Sequence, residues 1–110
     1  MKLVGGDGLS EALSALAHPV RRELLALIRA RPSRVTELAA RFEVSLPAVS
    51  RHLKVLEAAG FVARRVVGRD HFIEARADGF DEVAEWIARQ SGEWTTRLSA
   101  LKEMMEKEDG

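Results

Sequence analysis

The stretch VSLPAVSRHLKVLEAAG, residues 44–60, decides how the rest of this chain is read. Ser45 stands where a helix needs its N-cap, since its hydroxyl can accept from backbone N–H groups of the first turn. Pro47 is tolerated in that turn, because first-turn amides have no intrahelical partner to lose. Val49, Leu53 and Leu56 then recur at i, i+4 and i+7 and make one apolar stripe. Gly60 supplies a left-handed stop just past the last turn. Outside the stripe lie Ser50, Arg51 and Lys54, short or cationic groups suited to base edges and phosphates. Taken alone, this is an amphipathic helix over residues 45–59 with a basic outer edge. A solvated surface helix would look the same, so the neighbours decide.

Upstream, Val35 to Phe42 reads as a short helix with Leu38, Ala39 and Phe42 facing inward. Arg34 or Ser33 caps it, and Glu37 sits where a capping-box acid reaches back. Glu43-Val44 is the turn. Two helices joined by so short a turn, the second with an outward polar face, make a helix-turn-helix. After Gly60 the period changes. Phe61 to Val67 is β-branched, Gly68-Arg69-Asp70 is a turn, and His71 to Ala75 returns with alternation, which predicts a β-hairpin. The fold class is therefore mainly α, a winged helix-turn-helix with a two-stranded wing. Arg64 and Arg65 alternate, so a flat strand turns at most one of them toward DNA. Arg69 at the tip could reach the minor groove or the backbone, while Ser45 and Lys54 are placed for phosphates. An arginine such as Arg51 can bind guanine O6/N7 through two hydrogen bonds, and Ser50 beside it is also within reach of base edges.

The ends of the chain exceed what this module needs for its own core. Leu9, Ala12, Leu13 and Leu16 recur at helical spacing up to about Ala17. His18-Pro19 breaks that helix and opens a second one, to about Arg31, with Val20, Leu24, Leu27 and Ile28 as its apolar face. From Asp78-Gly79 onward Phe80, Val83, Ile87, Trp94, Leu98, Leu101 and Met105 share one stripe, widened by Trp86. The phase survives Gly92, which predicts one long helix, or two nearly collinear ones kinked at Ser91-Gly92. The simplest cover for these faces is a second copy of the chain, so Leu9, Leu13, Leu16, Ile87, Trp94, Leu98, Leu101 and Met105 are the expected dimer contacts. A pocket between two long helices could also bind an apolar small-molecule effector.

At 110 residues the chain is one domain over 9–107, between a frayed glycine-rich start, 1–8, and a short tail, 108–110. Cysteine is absent, which excludes disulfides, thiolate metal sites and thiol redox switches. The start MKLVGGDG is too short for a signal peptide and no apolar run approaches spanning length, so the expected location is cytoplasmic, away from any membrane. The net charge of zero hides an asymmetry. Residues 18–76 carry twelve cations and six anions, net +6, and the two ends carry five cations and eleven anions, net −6. A basic middle between acidic flanks suits a module that holds a polyanion while its ends do another job.

Enzyme chemistry has no foothold: no nucleophile–base pairing, phosphate-binding glycine loop or metalloprotease spacing occurs, and no cofactor or metal is expected. His52 reads as a half-buried, hydrogen-bonded residue, and His18 as a cap or corner residue. His71 lies between Asp70 and Glu74, but in a strand those acids share one face and His71 takes the other, so the three do not converge. The alternatives to DNA binding are a winged helix used for protein contact and a ligand-gated variant of the DNA-binding reading.

The runs LAHPVRRELLALI and VTELAARFEVSLPAVSRHLKVLEAAGFV, with the GR-containing wing, resemble the ArsR/SmtB family of small dimeric winged-helix repressors over about residues 9–107. The resemblance implies a homodimer through the first and last helices, two recognition helices on a pseudo-palindromic operator, and repression of transcription. It carries DNA-contact positions onto Ser50 and Arg51, and onto Leu46 and Pro47, where other members often have polar residues. Leu46 could instead touch a thymine methyl. The family's metal sensors use cysteines in the third helix, where this chain has Val35-Thr36-Glu37-Leu38-Ala39, or Asp/His and His/Glu pairs in the last helix, where this chain has no histidine. The sequence thus resembles a metal-independent subgroup.

Overall fold

The computed structural model describes residues 8–109, running α1 (Gly8–Leu16), α2 (Pro19–Ala30), β1 (Ser33–Arg34), α3 (Val35–Ala40), α4 (Leu46–Ala58), β2 (Val62–Val67), β3 (Asp70–Ala75) and α5 (Asp78–Asp109). This is the expected winged helix-turn-helix with a helix at each end, short in α1 and long in α5, and no described helix is long and apolar enough to cross a membrane. The expected start at 1–8 lies outside the described residues except for Gly8, which already belongs to α1. At the other end α5 continues to Asp109, through most of the expected tail.

Local chemistry sets the helix ends. His18 Nδ1 accepts from the Val20 N–H (3.2 Å) and caps α2, with Pro19 in its first turn. Glu37 Oε1 accepts from the Arg34 N–H (3.2 Å) at the start of α3. Ser45 Oγ accepts from the Ala48 N–H (3.3 Å) and caps α4. Gly60 closes the other end of α4 with φ +83°, the left-handed region that an L side chain rarely adopts.

The wing departs from expectation by one strand. The sheet has three strands in the order β1-β3-β2, both pairs antiparallel, because Ser33 and Arg34 pair with Ile73 and Phe72. Two residues are too few to show alternation, and their partner is forty positions away, so the sequence pattern could not announce them. The hairpin is also tighter than expected: Val67 pairs with Asp70, leaving a two-residue turn, Gly68-Arg69. Gly68 has φ +63° and Arg69 does not share the positive sign, the φ pattern of a type II′ turn, whose twist matches that of the strands.

The core lies between the helices and the base of the wing. Leu24, Leu25 and Ile28 of α2, Leu38 of α3, Val49, Leu53 and Leu56 of α4, and Phe61, Val62 and Ile73 at the wing's base are all buried. Each large side chain so withdrawn from water contributes about 1.5–3 kcal/mol. α1 joins through small residues, with Ala12 and Ala15 fully buried, so its backbone lies close against the core. The start of α5 is anchored by Phe80, whose ring meets that of Phe61 edge-on at 4.8 Å between centroids.

Beyond that anchor α5 leaves the body. It is one continuous 32-residue helix through Gly92, about 48 Å long at 1.5 Å per residue. The Cα radius of gyration is 19.8 Å, where a compact domain of this length has about 13 Å.

Candidate nucleic-acid interface

α4 is held by its stripe. Val49, Leu53 and Leu56 are buried, and at 100° per residue this turns Pro47, Arg51 and Lys54 directly outward. All three are exposed. Ser50 is turned one step toward the wing and is half-buried. With Leu46 it lines a concavity of about 340 Å³ whose far side is the wing, through Arg64, Arg69 and His71. Arg34 and Thr36, at the start of α3, close the third side. Ser50 and Arg51, adjacent in sequence, thus face different surroundings, Arg51 open solvent and Ser50 the groove between helix and wing.

The register decides which wing arginine shares the side of α4. Arg64 pairs with Ile73, which is buried, and lies on the same face as Val62; Arg65 pairs with Phe72 and takes the other face. The side chains follow suit, with Arg64 3.8 Å from Glu57 of α4 and Arg65 3.6 Å from Glu74. One arginine of the pair therefore looks toward α4, as alternation requires.

Most cations of the basic middle are already committed. Arg31 meets Glu37 (3.4 Å), Arg34 meets Asp70 (3.1 Å), and Arg21 and Arg22 donate to carbonyls at the end of α1. Arg29 lies over the Phe80 ring at 5.1 Å, and Arg76 pairs with Asp78. The four without a partner among the described residues are Arg41, Arg51, Lys54 and Arg69. Two of these are on the outer face of α4 and a third is at the wing tip, so the free positive charge is concentrated beside the groove.

His52 is on the flank of α4 that faces α2, half-buried, with Nδ1 3.3 Å from Arg21 Nη1. Burial, followed by the neighbouring His18, Arg21 and Arg51 charges, holds its pKa below the ordinary histidine value. It is therefore a packed, neutral residue rather than a base reader.

Similarity to known proteins extends over the same elements. A helix-turn-helix domain family model matches residues 16–65. The HTH-type transcriptional regulator Rv2034 of Mycobacterium tuberculosis is 33% identical over 97 residues, 88% of each chain. An ArsR-like transcriptional regulator from Rhodococcus sp. RHA1 superposes with a TM-score of 0.78 at 31% identity, over 88% of this chain and 92% of that one. The chain belongs to the ArsR/SmtB family. The transcriptional repressor SmtB of M. tuberculosis is 42% identical over 64 residues, 58% of this chain, and the match spans about half (47%) of SmtB's own length.

Within an ArsR/SmtB frame, the sequence-derived site residues fall into three groups. Pro47, Arg51 and Lys54 stand free on α4; Leu46, Ser50, Arg64 and Arg69 surround the groove; and the Ser45 hydroxyl accepts the cap bond yet keeps its own proton to donate. Arg34, Thr36 and His71 share the groove, and sequence reasoning does not place them there. Only the long-range pairing of β1 with β3 brings α3 and the wing together, and no local pattern encodes it. Among the expected dimer contacts, Ile87, Trp94, Leu98, Leu101 and Met105 are exposed, as is Leu13. Leu9 is half-buried, and Leu16 packs on the chain's own core. Among the described residues no three His, Asp or Glu side chains are grouped to hold a metal ion.

Proposed function

We propose that this chain is a homodimeric, sequence-specific double-stranded DNA-binding repressor, acting in the cytoplasm on a pseudo-palindromic operator. One observation carries the reading: on the outer face of α4 Arg51 and Lys54 are exposed and uncommitted, while most other cations of residues 18–76 are already paired. α4 has the form of a helix that lies in a major groove, with Arg51 toward base edges, Lys54 and the Ser45 hydroxyl toward phosphates, and Arg69 reaching the flanking backbone or minor groove. Leu46 and Pro47, at the start of the helix, offer apolar contact of the kind a thymine methyl accepts. The names of the relatives, regulators and a repressor of transcription, favour the same role.

The homodimer rests on α5. Phe80, Ile87, Trp94 and Leu101 recur every seven residues, and Leu98 and Met105 repeat the interval beside them. Such a seam pairs with a second helix. Trp94 is 61% exposed and Leu98 57%, in a run that includes Ile87, Leu101 and Met105. Two-fold pairing through this stripe and Leu13 covers it and places two copies of α4 on one duplex. The reading is of a metal-independent member, supported by the absence of cysteine and by the Val35–Ala39 segment where thiolates would stand.

The test is retardation of duplexes from the gene's own upstream region, followed by selection from a random pool. A specific duplex bound tightly at low salt, with two related half-sites and an affinity that falls steeply as salt rises, is the expected result. Failure to retard any duplex at low salt sinks the proposal and leaves the protein-contact module as the reading.

A further inference from the structure

On the flank of α4 away from the wing, one side chain bonds to two other helices at once. Arg21, on α2 and half-buried, donates from Nε to the Ala15 carbonyl (2.7 Å) and from Nη2 to the Ser14 carbonyl (3.1 Å). These are last-turn carbonyls of α1, beyond the reach of its i+4 ladder; the Ser14 carbonyl also accepts from the Ala17 N–H (3.1 Å). The same guanidinium places Nη1 3.3 Å from His52 Nδ1 on α4. A guanidinium has donors only, so Nδ1 is the accepting nitrogen and the His52 ring is the neutral tautomer with its proton on Nε2. His18, at the α1–α2 junction, lies beside it at 4.5 Å between centroids with the rings tilted by 50°, and its own Nδ1 is occupied by the Val20 N–H.

We propose that Arg21 is a positioning residue for DNA recognition: it ties the end of α1 to the recognition helix at the residue next to Arg51, and so fixes the separation of the two recognition helices in the dimer. The inference rests on the reading of α4 as DNA reader and of α1 as part of the dimer frame. Apolar packing through Ala12 and Ala15 resists separation of helices but resists sliding poorly. A planar group bonded at both ends defines an orientation, and lysine, a point charge on a flexible stem, cannot replace it. In a two-fold dimer any tilt of α4 is repeated in the partner, and the spacing of half-sites on DNA reports the sum. The titratable and charged groups facing the imidazole are His18, Arg21 and Arg51, all of which favour its neutral, accepting form.

The experiment uses the full chain and three variants, Arg21→Lys, Arg21→Gln and His52→Asn, the last keeping an acceptor oxygen, bonded to Cγ, where Nδ1 was. Without DNA, amide hydrogen exchange over residues 46–58 should quicken by about fivefold in Arg21→Gln, the effect of removing one hydrogen bond, and stay near wild type in His52→Asn. With DNA, affinity for the selected operator is compared with operators whose half-sites are moved by one or two base pairs, and with a single half-site. Arg21→Lys should keep single half-site affinity and lose about fivefold of the spacing discrimination, and His52→Asn should retain it. Unchanged exchange in Arg21→Gln, or full spacing discrimination in Arg21→Lys, overturns the proposal. Should Arg21→Gln not fold, Arg21→Lys takes its place in the exchange measurement. If the wild type binds no duplex, the DNA reading fails by itself, and the exchange arm still decides whether Arg21 holds α4.

Discussion

Gly79 lies against the Phe61 ring so closely that a methyl group on its α-carbon would stand 2.9 Å from two ring carbons and 2.8 Å from the Ala59 carbonyl oxygen. Its N–H also donates to the Gly60 carbonyl (2.9 Å), so the start of α5 is pinned to the end of α4 by backbone and ring together. Neither the carbonyl nor the buried ring can retreat. Gly79→Ala should therefore destabilise the fold by about 1–3 kcal/mol, the usual cost of overpacking. Gly92 provides the contrast, since nothing approaches its missing Cβ within 4 Å and it sits on the side of α5 away from Trp94. Gly92→Ala should stabilise by up to about 1 kcal/mol, because alanine is the better helix former. Urea melts of the two variants beside wild type check both signs.

His52 makes stability depend on pH. Its folded pKa lies below the ordinary histidine value, chiefly through burial and then through His18, Arg21 and Arg51. The folded state thus binds its proton less readily than the unfolded chain, and the neutral ring favours folding. That contribution is complete above the unfolded pKa of about 6.5 and is lost as pH falls through it toward the lower folded value. Between pH near 7.5 and pH near 5.5 the wild type should lose more stability than His52→Gln, whose side chain does not titrate. Parallel losses in the two proteins would assign the acid sensitivity elsewhere.

Much of this architecture is legible in local pattern. Ser45, the Val49–Leu53–Leu56 stripe and Gly60 mark α4 almost to the residue, because capping, periodicity and a left-handed stop are short-range effects. His18-Pro19 marks the α1–α2 corner for the same reason. What escapes is long-range. β1 is visible only through its pairing with β3, the groove residues Arg34, Thr36 and His71 only through that sheet, and the Arg21–His52 contact only through the approach of α2 to α4. Burial along α1 departs from the pattern as well: Leu16, expected as a dimer contact, packs on the chain's own core, and the close approach of the backbone makes Ala12 and Ala15 the buried positions.

The exposed α5 stripe predicts how the proposed dimer fails. Trp94 and Leu98 are the midpoint of the seam, and a charge placed there would be buried without a partner on pairing, an arrangement that costs several kcal/mol. Leu98→Asp should yield a monomer by light scattering at micromolar concentration, with far-ultraviolet circular dichroism largely retained, since the residue contributes nothing to the protomer's own core. Specific DNA affinity should fall with it, because a monomer holds only one half-site. A Leu98→Asp protein that remains dimeric would move the interface off this stripe.

Arg51 and Arg69 should separate base reading from backbone attraction. Both are exposed and lack an intramolecular partner, but Arg51 stands on the outer face of α4 and Arg69 at the tip of the wing. Arg51→Ala should cost about 1–3 kcal/mol on the preferred operator and flatten preference at one base position in each half-site, with little effect on unrelated duplexes. Arg69→Ala should weaken binding to all duplexes alike and reduce the slope of log K against log salt by about one for each phosphate that is no longer neutralised. Titrations of both variants on operator and scrambled DNA at several salt concentrations tell these outcomes apart. An Arg69→Ala slope equal to wild type takes the wing off the phosphates, and an Arg51→Ala protein with intact base preference shifts sequence reading to the Leu46–Ser50 turn.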